Sequence, residues 1–251
     1  MNRETPPWLW TLLLVLAVAL PLVLHARGQD YYISMISRMM IYGIAACSLN
    51  LILGFGGLVS FGHAAFVGIG AYAVGIMITE GVTSGWLNFA VAMGVSALAA
   101  AVIGAISLRT RGVYFIMITL AFAQMIYYLV NSIKAYGGDE GLNIKSRSNF
   151  GMGLDLKNDL TFYFVVLLVL VLTLVVISRM MKSRFGRVIL AIRDDDTRVD
   201  AIGFPAYTYK WILFIIAGTL GGLAGALMVN HQNYVSPNLM HWTQSGTLMV
   251  M

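Results

Sequence analysis

The chain has 251 residues, of which 59% are hydrophobic and 11% charged, against about a quarter charged in an ordinary soluble domain. A water-soluble fold of this length could not hide so much apolar surface in a core, so the composition excludes one and makes the bilayer the expected solvent. The net charge of +5 sits in short loops between apolar runs and reads as membrane topology, with no nucleic-acid-binding face.

A helix crosses the hydrocarbon core with about 20 mostly apolar residues. Seven stretches qualify, in chain order Trp8–Leu24, Ile33–Gly54, Leu58–Thr79, Trp86–Leu108, Val113–Val130, Leu160–Met181 and Trp211–Val229. They predict an all-α, polytopic helical membrane protein built as a single transmembrane domain over residues 1–251. Arg3 precedes the first run as it would in a secretory leader, but no small-x-small cleavage site clearly follows and Pro21 interrupts the run. It is read as a retained span.

Positively charged loops stay on the cytoplasmic side. The segment Arg179–Lys210 carries seven of the sixteen basic residues. Placing it inside puts Arg3, Arg109 and Arg111 inside as well, ten in all, and leaves Arg27, Lys134, Lys145, Arg147 and Lys157 outside. The N-terminus is therefore expected in the cytoplasm. Arg38 falls within the second span, close enough to its outer end to snorkel.

Two polar loops are long enough for structure of their own. The outer one, Asn131–Asp159, sets Gly137, Gly138 and Gly141 beside Asp139 and Glu140, a turn-rich surface that could receive an external partner. The inner one, Lys182–Lys210, reads as two short helices lying against the membrane. These are Arg187–Arg193 and Thr197–Ile202, with Asp194, Asp195 and Asp196 as caps between them and Gly203 and Pro205 closing the pair.

The most glycine-dense stretch joins the second and third spans: Gly54, Gly56, Gly57, Gly62, Gly68 and Gly70, with His63 among them. A helix broken at membrane depth survives only where protein buries it or a cavity bathes it. Two readings stay open, tight packing alone, as the four-residue spacing of Ala64 with Gly68 and Ala71 with Gly75 implies, or packing together with lining of a path. His63 is the only histidine inside a predicted span. It is either a pathway or gating residue, or a histidine bonded to a neighbouring carbonyl at the cytoplasmic end of its helix. Asn50 and Gln124 more often bond a neighbouring helix than a substrate. In the last span Gly218, Gly221, Gly222, Gly225 and Ala226 form overlapping G-x-x-x-G pairs that predict close helix contact. Tyrosines and tryptophans at the span ends, such as Tyr31, Trp86, Tyr128 and Trp211, suit the interfacial belt.

The sequence has no G-x-x-x-x-G-K-[ST] phosphate loop, no H-E-x-x-H, no G-x-S-x-G and no carboxylate pair within a span, and its single Cys47 cannot make a disulfide framework or a thiolate metal site. Neither a metal nor an enzymatic centre is expected. Proton coupling through a buried acid is disfavoured, and without a phosphate loop to hydrolyse ATP the energy for any active transport must come from another subunit or from an ion gradient.

Five segments carry a resemblance. Ile41–Gly54 (IYGIAACSLNLILG) and Gly57–Tyr72 (GLVSFGHAAFVGIGAY) resemble the permease subunits of branched-chain amino acid ABC importers, of the M type in the leucine, isoleucine and valine system. Arg111–Gln124 (RGVYFIMITLAFAQ) is similar to that family's fifth-span signature and Gly137–Gly141 (GGDEG) to its external glycine turn. Phe185–Arg193 (FGRVILAIR), with Ala201–Gly203 and Tyr209–Lys210, is similar to the loop that docks on the ATPase. Together they cover nearly everything from Tyr31 onward.

The resemblance implies a type II ABC importer permease fold in a bacterial or archaeal plasma (inner) membrane. Its implied partners are a second, H-type permease, two cytoplasmic ATPase subunits and a periplasmic or external binding protein. This chain would bind no cofactor, and ATP would be used by the ATPases. The resemblance makes Asn50, Gly54, Gly57, Ser60, Gly62, His63, Gly68 and Gln124 candidates for the translocation path. It makes Gly186, Arg187, Ala191, Arg193, Asp195, Ala201 and Gly203 candidates for ATPase coupling. The implied cargo is branched-chain amino acids. Urea and short-amide importers use very similar permeases, and selectivity is expected to rest largely with the external binding protein. An ion-coupled secondary transporter is the reading from another class. Such permeases usually continue past the Ser-Pro stretch, here Ser236-Pro237, into a further glycine-rich segment, so a chain ending at Leu248–Met251 is expected to be a fragment.

Overall fold

The computed structural model describes residues 7–26, 28–144, 147–149 and 158–251. Its α-helices among these are α1 (Pro7–Ala26), α2 (Asp30–Asn50), α3 (His63–Thr79), α4 (Gly85–Ser107), α5 (Val113–Ser132), α6 (Asp159–Lys182), α7 (Arg184–Asp194), α8 (Asp196–Ala201), α9 (Ala206–Gln232) and α10 (Trp242–Val250). A helix stands at each of the seven predicted spans, and α2 with its terminal π turn, α4, α5, α6 and α9 are long and apolar enough to cross a membrane. The fold is that of an all-α polytopic membrane protein. The orienting residues Arg3, Arg27, Lys145 and Lys157 lie outside the described residues.

Several span boundaries differ from the sequence reading: α2 begins at Asp30 and α9 at Ala206, three and five residues before the predicted starts, and two further differences bear on the site. The third helix begins at His63, not Leu58, because Gly57 takes a positive φ of 66° and the chain runs non-helically to Gly62. The last long helix continues past Val229 to Gln232, stopped by Asn233 in the left-handed conformation at φ 53°. His231 therefore also stands on a long apolar helix, so His63 is not the only histidine so placed.

The bundle is organised around α9, whose residues from Leu220 to Asn230 are all buried. Its small residues let backbones approach. A Cβ on Gly70 of α3 would fall on the Gly222 carbonyl, one on Gly225 would fall on the Val67 carbonyl, and one on Gly218 would overlap Ala100 of α4. The helix contact predicted from the glycine spacing is thus made within the chain. On the other side of α9, α2 and α6 pack through Ile44, Leu49, Phe162, Val166, Leu227 and Met228. The outward faces of α4, α5 and α6 keep Leu98, Met117, Leu129 and Leu172 exposed, as lipid-facing helices do in a bilayer.

At one end of the bundle, residues 133–144 and 147–149 fold down onto their neighbours. Strand β1 (Leu142–Asn143) pairs antiparallel with β2 (Tyr234–Val235), Tyr234 donates to the Glu140 carbonyl at 2.7 Å, and the Ser148 amide donates to Asn230 Oδ1 at 2.8 Å. Gly141, at φ 78°, is required there because a Cβ would strike the Val235 carbonyl. Asp139 and Glu140 stay exposed on this cap. The opposite end gathers the α2–α3 junction, the α4–α5 turn and the α7–α8 segment. It carries the basic loops that the alternation of spans groups together.

Candidate functional site

The junction of α2 and α3 is built from glycine. After Asn50 the helix widens into a π turn, Leu51–Phe55, continued by amide-to-carbonyl bonds from Gly56 to Leu51 (3.2 Å) and from Leu58 to Ile52 (3.1 Å). π turns of this kind are rare and frequent at functional sites. A Cβ on Gly54 would meet the Asn50 side chain, and one on Gly56 would lie 2.6 Å from the Ile52 carbonyl and 2.8 Å from Leu213. The predicted break is therefore present, buried against protein on its Gly56 side.

The polar segment after α6 forms the predicted pair of short helices. Ser183 caps α7, accepting from the Gly186 amide at 3.4 Å, and Gly186 lies so close to the Met181 backbone that a Cβ would overlap it, which is what makes the sharp turn from α6 possible. The α7 helix is amphipathic, with Ile189 and Ile192 buried and Arg187 and Ala191 exposed. Asp195 ends α7 and caps α8, accepting from the Thr197 and Arg198 amides at 3.1 and 3.2 Å, and its carboxylate pairs with Arg198 at 2.8 Å. A cap of this kind is worth about 1 kcal/mol.

Asp196 ties the pair to the bundle. It meets Lys210 of α9 at 3.1 Å and Arg111 of the α4–α5 turn at 3.4 Å. Burial alone would raise its carboxyl, but the hydrogen bond and charge of Lys210 and the charge of Arg111 outweigh that and hold it below its ordinary value. Asp200 accepts from the Ala206 amide at 2.8 Å, and Tyr207 and Trp211 of α9 each donate at 2.8 Å to α4 carbonyls, of Ala105 and Ala101. In the sequence Asp196 reads as a cap, Trp211 as an interfacial aromatic, and Arg111 and Lys210 as loop bases. Their pairing across the fold, and the roles of Asp200 and Tyr207, are not anticipated there.

The two features meet at Arg193. Its Nη1 donates to the Gly54 carbonyl at 2.9 Å, and its stem lies over Gly57, where a Cβ would come within 2.7 Å of Arg193 Cγ. Around this contact is a cleft of about 630 Å³ lined by Gly56, Gly57, Arg109, Arg111, Asp196 and Lys210 among others. On the outer side of α7 and α8 lies a second groove of about 630 Å³, where Arg184, Arg187 and Ala191 stand beside Phe204, Tyr209 and Ile202, the last 75% exposed. Ala201 and Gly203 are exposed beside it, Gly203 at φ 96°. An exposed surface that mixes arginines with large apolar groups has the chemistry of a protein-docking face.

The remaining path candidates separate into two groups. His63 is wholly buried at the start of α3, its Nε2 2.7 Å from Ser48 Oγ and its ring edge-on to Phe66 at 5.7 Å. Ser48 donates its own proton to the Ala45 carbonyl at 2.7 Å, so the imidazole N–H donates to the hydroxyl. The partner is a hydroxyl and not the carbonyl anticipated from sequence. Ser60 is buried and accepts from the Gly62 amide, a Cβ on Gly62 would lie 2.6 Å from the Thr119 carbonyl, and Gly68 is covered by Met240. Ser60, Gly62 and Gly68 are closely packed, and His63 keeps its Nδ1 buried without a hydrogen-bond partner. Asn50 is exposed in a cleft of about 310 Å³ that it shares with Cys47, Leu53, Leu248 and Met251, whereas Gln124 is half-buried on α5. His231, outside the predicted spans, binds α9 to α2 by donating from Nε2 to the Ser34 carbonyl at 2.9 Å. The left-handed Asn233 two residues on was the signal that could have placed it on the helix. Among the described residues no group of three or more His, Cys, Asp or Glu is placed to hold a metal ion.

Comparison with known proteins gives a family match over residues 31–251, to the permease component of the branched-chain amino acid transport system. The chain is 30% identical over 262 aligned positions to the high-affinity branched-chain amino acid transport system permease protein LivM of Salmonella typhimurium, covering 95% of this chain and 61% of that protein, and it matches the Escherichia coli LivM to the same extent. It is 25% identical to a probable branched-chain amino acid transport permease protein LivM of Methanocaldococcus jannaschii, over 84% of this chain and 71% of that one. The chain thus spans about three fifths of the length of the two bacterial relatives. No solved structure matches.

Proposed function

The chain belongs to the family of branched-chain amino acid transport system permease components, and on that premise we propose that it is the M-type membrane subunit of an ATP-driven importer for branched-chain amino acids. In this reading the chain itself is not an enzyme and binds no cofactor. ATP is hydrolysed by two partner subunits at the α7–α8 face, and an H-type permease completes the path. An external binding protein delivers the cargo to the cap around Gly141. The end bearing Arg109, Arg111 and Arg193 faces the cytoplasm, as the distribution of basic residues favours.

The observation that carries the reading is the bond from Arg193 to Gly54. A helix pair with an exposed groove on one side holds, on its other side, the one place where α2 leaves regular α-helical geometry. Rigid-body movement of α7 and α8 when ATPases close would pull on that break, which is how a small displacement at a docking face becomes a change in a packed bundle. Asn50, Gly54 and Gly57 then lie where such a change would be felt along the path, and Arg187, Ala191, Ala201 and Gly203 on the side that receives the ATPase.

The test is uptake of labelled leucine by cells that carry the complete set of transporter genes, with and without the ATPase genes. Uptake that needs the ATPases supports the proposal. Uptake that survives their loss, or that follows an ion gradient with this chain alone, contradicts it.

A further inference from the structure

The chain makes the same turn twice. Gly57 and Asn233 both take a positive φ, 66° and 53°, and each is followed by an apolar or aromatic residue, a valine and a serine, Leu58-Val59-Ser60 and Tyr234-Val235-Ser236. In both turns the serine hydroxyl accepts from the amide two residues on, that of Gly62 and that of Asn238, at 3.3 Å. The first turn joins α2 to α3 and the second joins α9 to α10, at opposite ends of the bundle.

The second turn carries the chain back into the bundle beside α3. A Cβ on Gly75 would lie 3.5 Å from Val235 Cγ2, Met240 covers Gly68, and Ser245 accepts from the Ala64 amide at 2.9 Å. These contacts step along α3 from Gly75 to Ala64, about 16 Å of its axis. Between Asn233 and His241 the returning chain has no α-helix, and such backbone at membrane depth persists only where protein buries it or water reaches it. At the first turn protein does so, since Ser60 and Gly62 are buried. At the second turn only one side is covered. Val235 and Met240 are buried against α3, whereas Asn238, Trp242, Thr243 and Thr247 are exposed.

This exposed side differs from the lipid-facing surfaces, which present Leu98, Met117 and Leu172. It presents an amide and two hydroxyls, and from Trp211 to Met251 the sequence has no Asp, Glu, Lys or Arg. Thr247 donates to the Thr243 carbonyl at 3.1 Å. His241 Nδ1 accepts from the Thr243 amide at 3.4 Å, so it is unprotonated and the Thr243 hydroxyl donates to it at 2.9 Å. Both threonine oxygens are thereby left as acceptors. The strip is flanked by α2 and α5: Leu248 shares the cleft of about 310 Å³ with Asn50, and the His241 ring stands edge-on to Tyr127 at 5.4 Å.

We propose that Asn238, Thr243 and Thr247 form one wall of a water-filled cargo path leading from the second turn to the Asn50 cleft, and that its occupant is a net-neutral aliphatic amino acid. The proposal deepens the transport reading above and rests on it. The threonine oxygens accept from the ammonium group of a zwitterion and the Asn238 amide donates to its carboxylate, while a cargo with net charge finds no counter-ion on this wall. Trp242, 39% exposed, offers apolar area to the side chain.

The experiment uses the assembled transporter in proteoliposomes, with Cys47 replaced by Ser and single cysteines in place of Thr243, Thr247 or, on the lipid-facing side of α4, Leu98. A cationic methanethiosulfonate reagent, which attacks only thiols that ionise in water, is applied with and without leucine. Thr243→Cys and Thr247→Cys are expected to be modified, to be modified more slowly in the presence of leucine and to lose most of their uptake on modification, whereas Leu98→Cys stays unmodified. The double variant Thr243→Val, Thr247→Val keeps the shape, removes both hydroxyls and should lose uptake of leucine. The proposal is overturned if the two threonine positions are as unreactive as Leu98→Cys, which would mean that protein or lipid covers the strip. It is also overturned if modification leaves uptake intact, or if the double valine variant transports as the wild type does. A wild type that transports no leucine refutes the transport reading instead, and the thiol modification then still reports whether water reaches the strip.

Discussion

Arg193 of α7 holds the Gly54 carbonyl at 2.9 Å from a helix pair that is far away in the chain, and its stem occupies the space that a side chain at position 57 would need. Arg193 was selected from sequence as a coupling residue and Gly54 and Gly57 as path residues. Their direct contact joins the two candidate sets in space.

Reversing the charges of Arg193 and Asp195 together should uncouple leucine uptake from ATP hydrolysis in proteoliposomes while leaving the protein in the membrane. The Gly54 carbonyl loses its donor and α8 loses its cap, at about 1 kcal/mol for the cap. Asp195→Asn should retain most activity, since asparagine caps nearly as well. Equal loss in Asp195→Asn would show that the charge itself, and not the cap, is what matters.

Gly57→Ala should lower uptake for two separable reasons. Alanine is strained at φ 66° by about 1 kcal/mol, and its Cβ collides with Arg193 Cγ. In an Arg193→Ala background the collision disappears and the strain remains, so a double-mutant cycle on thermal stability should give a favourable interaction term. Strict additivity would mean that the two residues do not press on each other.

Gly225→Leu should be among the most damaging substitutions in the chain, because the first added atom already overlaps the Val67 carbonyl. Overpacking of this kind costs about 1–3 kcal/mol or more. The same change at Gly94 of α4, where a Cβ meets nothing within 4 Å, should be tolerated. Thermal melting of both variants in detergent checks the contrast.

Asp196 makes a prediction about pH. Its folded carboxyl lies below the ordinary value of 3.8, so the stability it contributes through Lys210 and Arg111 is fully present above that value and is lost as pH falls through the lower, folded one. Wild type and Asp196→Asn should therefore differ in melting temperature by a constant amount from pH 7 to about 5 and converge as the pH falls below 3.8. A difference that grows on acidification would contradict the assigned ion pairs.

The spans and the paired short helices were legible because apolar length and acid-cap spacing are local signals. The start of α3 was not, since Leu58–Phe61 is as apolar as a helix and only the backbone of Gly57 excludes it. His63 was legible either as a pathway residue or as a histidine bonded to a neighbour, and its partner Ser48 could not be named because it lies on another helix and no spacing rule connects them. Arg193 was legible as a residue, whereas its bond to Gly54 joins positions 139 apart and depends on the fold. The groove beside α7 was not legible in the spacing; only the resemblance implied that this segment receives a partner. The fastening of that segment by Asp196, Asp200 and Lys210 was not legible either.

The central claim is that α7 moves the α2 break through direct contact at Arg193 and Gly57. The Cβ expected at position 57 lies 3.7 Å from Arg193 Cβ, within disulfide range, so a Gly57→Cys, Arg193→Cys protein with Cys47 replaced by Ser can restore the link covalently. The measurement is leucine transported per ATP hydrolysed by the assembled transporter with this pair oxidised and then reduced. The account predicts coupled uptake in the oxidised form and hydrolysis with little uptake in the reduced form. Equal coupling in both forms would contradict it.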